Sequence, residues 1–256
     1  PPSGASSKLL ADREAIMNIT GETKVKELAV ANPGATRILE QAGVDYCCGG
    51  NKSLHDACAH AGISTEEIMA RLEENKTQVG PADANWVSAP IGDLTQHIRG
   101  KHHRYVRDAV QRIPALLARV KTKHGNNHPE IAEIEDLFLK VGREMITHMR
   151  KEEQVLFPYI EAVERAASGK ETLEPPFFQT VRNPVHAMME EHDAAAALVN
   201  QIRAASSAYT PPADACASYQ ALYRDLQEFE ADLHEHVHLE NNILFPRAVE
   251  MEAGTV

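Results

Sequence analysis

Two stretches of the chain repeat one pattern in register over eleven positions. The first is His148-Met-Arg-Lys-Glu152-Glu-Gln-Val-Leu-Phe157-Pro158, the second His236-Val-His-Leu-Glu240-Asn-Asn-Ile-Leu-Phe245-Pro246. Each reads His, three residues, Glu, two residues, a β-branched residue, then Leu-Phe-Pro. Such internal self-similarity marks a repeated unit. Residues four apart lie on one face of a helix, one turn above each other. Each copy therefore aims an imidazole and a carboxylate at one place. That donor pair suits iron, manganese or zinc better than magnesium or calcium. A surface His–Glu pair, worth about 0.2–0.5 kcal/mol, accounts for one copy. Two copies in the same register point to a metal site.

A site of this kind needs helices to hold it. The pattern predicts long helices over about 90–123, 129–167, 183–205 and 211–249. Loops rich in Gly, Asn, Ser and Pro separate them at 124–128, 168–182 and 206–210. The expected architecture is all-α, an up-down-up-down four-helix bundle with its site in the core. Pro114 is expected to bend the first helix, and Phe157-Pro158 and Phe245-Pro246 to kink the second and fourth.

The second and fourth helices each carry His-x-x-x-Glu about ten residues before a proline. Partners on the first and third helices, which run the other way, must lie near their starts. His192 is eight residues after Pro184, and His97 is seven after Pro90. The expected ligand set is His97, His148, Glu152, His192, His236 and Glu240. Four imidazoles and two carboxylates are too many for one ordinary metal and suit two, with the glutamates able to bridge. On this reading His102 and His103 fall about 7 Å deeper and point about 120–140° away from His97. His186 comes too early, and His234 and His238 face away from His236. Glu153 and Glu191 point elsewhere, and His124 and His128 sit in a loop. All of these are expected on the solvated surface. Each ligating His should donate its other N–H to an acceptor that the sequence does not name.

Composition agrees with a helical chain. Of 256 residues, 43% are hydrophobic and only 5% aromatic, with the Ala, Leu, Glu and Gln that favour helices. The net charge of −11 and the absence of a dense Lys/Arg run argue against nucleic acid as a partner. No apolar run is long enough to span a membrane, and no signal peptide is visible. The four cysteines, Cys47, Cys48, Cys58 and Cys216, do not form a disulfide framework. A reducing, cytoplasmic setting is expected.

Ahead of the bundle the pattern predicts a mobile lead-in (1–22), a small helical domain (23–76) and a linker (77–88), with the bundle over 89–256. The small domain reads as four short helices. The second follows Pro33 and stops at Gly43, the third stops at Gly62, and the fourth opens on the capping box Ser64-Thr65-Glu66-Glu67. Its central loop is Asp45-Tyr46-Cys47-Cys48-Gly49-Gly50. Adjacent cysteines rarely bridge each other. A thiol ahead of a helix N-terminus can have a lowered pKa and be reactive. The other reading is two small apolar groups packed in a turn. Cys58 and Cys216 read as helix packing.

The region 85–250 resembles a hemerythrin-type bundle. The region 23–76, with its Tyr-Cys-Cys-Gly-Gly loop, resembles the small domain that precedes such a bundle in the repair-of-iron-centres family. The resemblance implies a cofactor of two non-haem iron ions, oxo- or hydroxo-bridged, with Glu152 and Glu240 bridging. It implies a role for Cys47 and Cys48, and damaged iron–sulfur proteins and nitric oxide as partners. Oxygen-carrying hemerythrins have His-x-x-x-His on the third helix. Here His192 is followed four residues later by Ala196. One imidazole is missing, which implies a more open site and argues against a simple oxygen carrier.

The leading expectation is repair of iron–sulfur clusters damaged by nitric oxide or oxidative stress, through iron donation or nitric oxide handling. A nitric oxide storage protein, a di-iron nitric oxide or peroxide reductase, and a bundle with incidental histidines are the alternatives. Manganese or zinc fits the same ligands, and the sequence reveals neither an electron donor nor an oligomeric state.

Overall fold

Side-chain caps start three helices of the small unit. Asn32 Oδ1 accepts from Gly34 N at 3.0 Å, Ser53 Oγ from Asp56 N at 3.1 Å, and Ser64 Oγ from Glu67 N at 3.1 Å, each satisfying an N–H that the helix itself leaves unpaired. The computed structural model describes residues 19–75 and 86–255. The expected lead-in and linker lie outside these residues except for 19–22 and 86–88. The chain divides into two units, Pro1–Ala89 and Pro90–Val256.

The first unit contains α1 (Val25–Ala31), α2 (Pro33–Gln41), α3 (Leu54–Ala61) and α4 (Thr65–Asn75). Gly43 (φ 69°) and Gly62 (φ 72°) close α2 and α3 in the left-handed region that glycine adopts without strain. Leu28, Leu39, Leu54, Cys58, Ile68 and Leu72 lie in its core. The loop between α2 and α3 is tied to the start of α1: Val25 N donates to Lys52 O and Lys26 N to Gly50 O.

The second unit is built from four long helices. α5 spans 91–124, as Ile91–Ile98, a π-helical turn Arg99–His103, and Arg104–His124. α6 spans 130–167, with a π turn at Glu152–Leu156; α7 is Arg182–Ala205; α8 spans 217–255, with a π turn at Glu240–Leu244. α5 packs on α6, α6 on α7, and α8 on α5 and α7. The antiparallel bundle closes over buried side chains such as Phe138 and Phe229, whose rings meet edge-to-face at 5.1 Å. Among the described residues there is no strand beyond one isolated bridge, Lys24 with Ser53.

One expectation changes. α8 begins at Ala217 rather than near 211. Ser207, Ala208 and Tyr209 all have positive φ (52°, 53° and 59°), and Cys216 is extended (φ −75°, ψ 171°), so Pro211 and Pro212 lie in the loop ahead of α8. At Phe157-Pro158 and Phe245-Pro246 the helix widens into the preceding π turn. Proline lacks an N–H and crowds the carbonyl four residues back, and a one-residue insertion relieves both conflicts. All three π turns hold residues of the site described next.

Candidate metal centre

The level at which the helices meet is set by two glutamates. Glu164 of α6 caps the start of α5, accepting from Ile91 N at 2.7 Å and Gly92 N at 3.2 Å. Glu252 of α8 does the same before α7, accepting from Val181 N at 2.8 Å. Glu164 is twelve residues beyond Glu152, and Ile91 is twelve before His103. Glu252 is twelve beyond Glu240, and Val181 eleven before His192. Antiparallel helices matched at one rung match again an equal number of residues further on, at 1.5 Å each. His103 therefore faces Glu152, and His192 faces Glu240.

The result is two buried groups that share both carboxylates: His103, Glu152, His236 and Glu240, and His148, Glu152, His192 and Glu240. Within each group the donor atoms lie within 4.8 Å of one another. His148 Nε2 is 3.3 Å from Glu152 Oε1, His236 Nε2 is 3.0 Å from Glu240 Oε1, and His192 Nε2 is 3.1 Å from Glu240 Oε2. His103 Nε2 is 3.4 Å from Glu152 Oε2. Yet His103 Nε2, both Glu152 oxygens and Glu240 Oε2 are buried without a hydrogen-bond partner. Lone pairs this close but unsatisfied are costly to bury unless a cation takes them up.

The electrostatics agree. Burial pushes Glu240 up, but His236 and His192 outweigh it and hold its carboxyl well below the usual range. Burial and Glu240 push Glu152 up, and His148 and His103 bring it below its ordinary value. Burial lowers His148, yet Glu152, Glu240 and Glu191 raise it to about 9. The cage is short of positive charge and draws protons where cations would sit. Two imidazole–carboxylate groups joined by two glutamates fit a pair of transition-metal ions.

Outer partners orient the imidazoles. Glu153 Oε1 lies 2.7 Å from His103 Nδ1 and is itself gripped by Arg107. Glu191 Oε2 lies 2.9 Å from His148 Nδ1 and pairs with Lys151. Asn241 Oδ1 lies 2.9 Å from His192 Nδ1. Phe157 stacks on His103 and Phe245 on His192, at 5.7 and 6.1 Å, which gives both Leu-Phe-Pro motifs the same task. A cleft of about 440 Å³, lined by Arg143, Thr147, His148, Lys151 and Glu191 among others, reaches His148.

The structure brings His148, Glu152, His192, His236 and Glu240 together and leaves His97 out. His97 is six residues before His103, about 9 Å along the axis. It groups with His102 and Glu235 instead. The expectation fails because depth counted from Pro90 ignores the rung set by Glu164. Glu153 and Glu191 hold ring nitrogens rather than facing away. His102, His103 and His238 are buried, not solvated. A signal for Glu153 was present: it follows Glu152 as Asn241 follows Glu240 in the repeat.

Cys47 and Cys48 lie in the first unit with Sγ atoms 3.8 Å apart, and both are free thiols. Asp45 accepts from the backbone N–H groups of Cys47, Cys48 and Gly49 at 3.1, 3.0 and 2.9 Å. Its carboxylate fills the nest that a thiolate would need. The Cys48 thiol, burial and Asp45 together push Cys47 well above the usual thiol range, which favours the reading of small groups packed in a turn over that of a thiol with lowered pKa. Cys216 is half-buried at the start of α8, with Sγ 3.2 Å from His124 Nε2.

A helical bundle with buried carboxylate-linked imidazoles belongs to the class of bundle proteins that bind cations in their core. A family model described as "Hemerythrin HHE cation binding domain" matches residues 96–248, and one described as "Domain of Unknown function (DUF542)" matches 21–76. The "Probable iron-sulfur cluster repair protein" of Haemophilus influenzae is 35% identical over 233 residues, covering 89% of this chain and 97% of its own. The "Iron-sulfur cluster repair protein YtfE" of Musicola paradisiaca is 33% identical, covering 91% of this chain and 98% of its own. The protein of that name from Salmonella paratyphi B is 33% identical over 224 residues. The chain belongs to this iron–sulfur cluster repair family. Among the described residues no helix is long and apolar enough to cross a membrane.

Proposed function

We propose that this protein repairs iron–sulfur clusters damaged by nitric oxide or oxidative stress. It holds two iron ions between His103, His148, Glu152, His192, His236 and Glu240. The observation that carries this reading is the pair of buried donor groups sharing Glu152 and Glu240, in a chain whose relatives are named as repair proteins. Bound there, iron would supply exchangeable metal and electrons for rebuilding a cluster.

The chain's own residues do the rest. Glu152 and Glu240, common to both donor groups, would hold both ions, and the four imidazoles would complete the set. Glu153, Glu191 and Asn241 fix ring orientation. Lys151 and Glu191 stand at the cleft that reaches His148. Ala196, where an oxygen carrier would have another imidazole, leaves room for nitric oxide. Of the two loop thiols, Cys48, the more exposed, is the one that faces the damaged partner, with Cys47 buried beside it. Four free cysteines among the described residues suit a reducing cytoplasm.

The test is restoration of a hydratase whose iron–sulfur cluster has been damaged by peroxide or nitric oxide. Iron-loaded wild-type protein should restore activity, and Glu152→Ala protein, shown by circular dichroism to be folded, should carry less iron and fail. Equal restoration by Glu152→Ala would end this reading.

A further inference from the structure

Beside the cage, α5 and α8 bring a second donor set together. His97 and His102 of α5 and Glu235 of α8 each offer a donor atom, and these lie within 4.8 Å of one another. His102 is fully buried. Its Nδ1 lies 2.9 Å from Asp232 Oδ1, while its Nε2 is buried without a hydrogen-bond partner. A ring whose Nδ1–H donates to a carboxylate presents the Nε2 lone pair, the arrangement that orients a metal-ligating histidine. Glu235 is half-buried and already attracts a cation: Lys101 Nζ lies 2.6 Å from its Oε1. The Lys101 side chain is 46% exposed and free to swing into solvent. The His102 ring also stacks on His236 at 5.6 Å, with 12° between the planes, so this set adjoins the cage without sharing a ligand with it.

We propose that His97, His102 and Glu235 form a third, mononuclear site for a divalent transition metal, with Asp232 orienting His102. Two imidazoles and one carboxylate suit Zn²⁺, Fe²⁺ or Co²⁺ and leave coordination positions open. The site is independent of the repair reading, because none of its three ligands belongs to the shared-carboxylate cage.

The experiment is equilibrium dialysis of the full chain against Co²⁺, with bound metal counted and the visible spectrum recorded. Wild type should bind about three equivalents, and His97→Ala and Glu235→Gln about two each. Lys101→Ala, which removes the competing ammonium, should move the third binding step to lower cobalt concentration. Saturation of wild type at about two equivalents, with both lost in a Glu152→Ala, Glu240→Ala double variant, overturns the proposal. So does retention of the third equivalent in both His97→Ala and Glu235→Gln. A single equivalent in wild type that disappears in His97→Ala would keep this site and sink the two-metal cage, so the two ideas fail separately. Should either variant misfold by circular dichroism, the other and Lys101→Ala carry the test; a third step unmoved by Lys101→Ala then counts against the site.

Discussion

Glu152 and Glu240 are fully buried, and the charges that face them are imidazoles rather than ammonium or guanidinium groups. Imidazole gives up its proton readily and offers a lone pair in return, which suits a cage meant for metal. Replacing His103 by Ala should cost bound metal in the pair of donor groups that share Glu152 and Glu240. His97→Ala should leave that pair intact, and metal analysis of the two variants checks both. Glu191→Gln removes charge from the partner of His148 Nδ1, and metal affinity in a competition assay should fall by about 10–100-fold. Cys216 is a separate case. The backbone N–H of Tyr219 and the His124 ring lower its pKa to about 7, whereas Cys47 is raised. Alkylation followed by peptide mass spectrometry should show Cys216 reacting at neutral pH while Cys47 stays protected. Equal rates at the two positions would contradict this. At this scale the sequence was informative where chemistry is local. His148 with Glu152 and His236 with Glu240 are four residues apart, and helix geometry alone places them together. His103 depends on a rung between α5 and α6, which no local spacing encodes.

The helices themselves were readable because caps, glycine stops and apolar periodicity are local signals. What escaped was the π turns. A one-residue widening leaves almost no trace in composition, although Phe-Pro after two of them hinted at strain. The loop of the first unit gives an element-scale prediction. A Cβ on Gly50 would lie 2.8 Å from Lys26 Cβ and 2.9 Å from Tyr46 O. Backbone cannot yield cheaply there, so Gly50→Ala should destabilise the first unit by about 1–3 kcal/mol in a denaturant melt. At the far end of the bundle from the cage, His128 bridges Glu130 and Asp214, both at 3.0 Å. Burial opposes its charge, but the two carboxylates raise its pKa. A raised folded pKa contributes stability that is fully present below the unfolded value of about 6.5 and is lost as pH rises through the folded value. His128→Gln should therefore lower Tm more at about pH 5.5 than at about pH 8.5. An equal effect at both would remove the charge from the explanation.

The whole molecule has two cores, one in each unit. Metal that binds only the folded bundle stabilises it by about 2.7 kcal/mol at a hundredfold excess over Kd. Removing metal with a chelator should lower the melting transition of the bundle and leave that of the first unit in place. Calorimetry resolves the two, and a joint shift would show that the units unfold as one. Both donor groups share Glu152 and Glu240, and on the proposed iron-donation reading this governs how metal would leave. One carboxylate comes from α6 and the other from α8, so neither donor group is built from one helix alone. Parting α6 from α8 would take a shared carboxylate from both donor groups at once. On that reading, discharge would then be a paired event with one rate, and the dose handed to a recipient would be two ions.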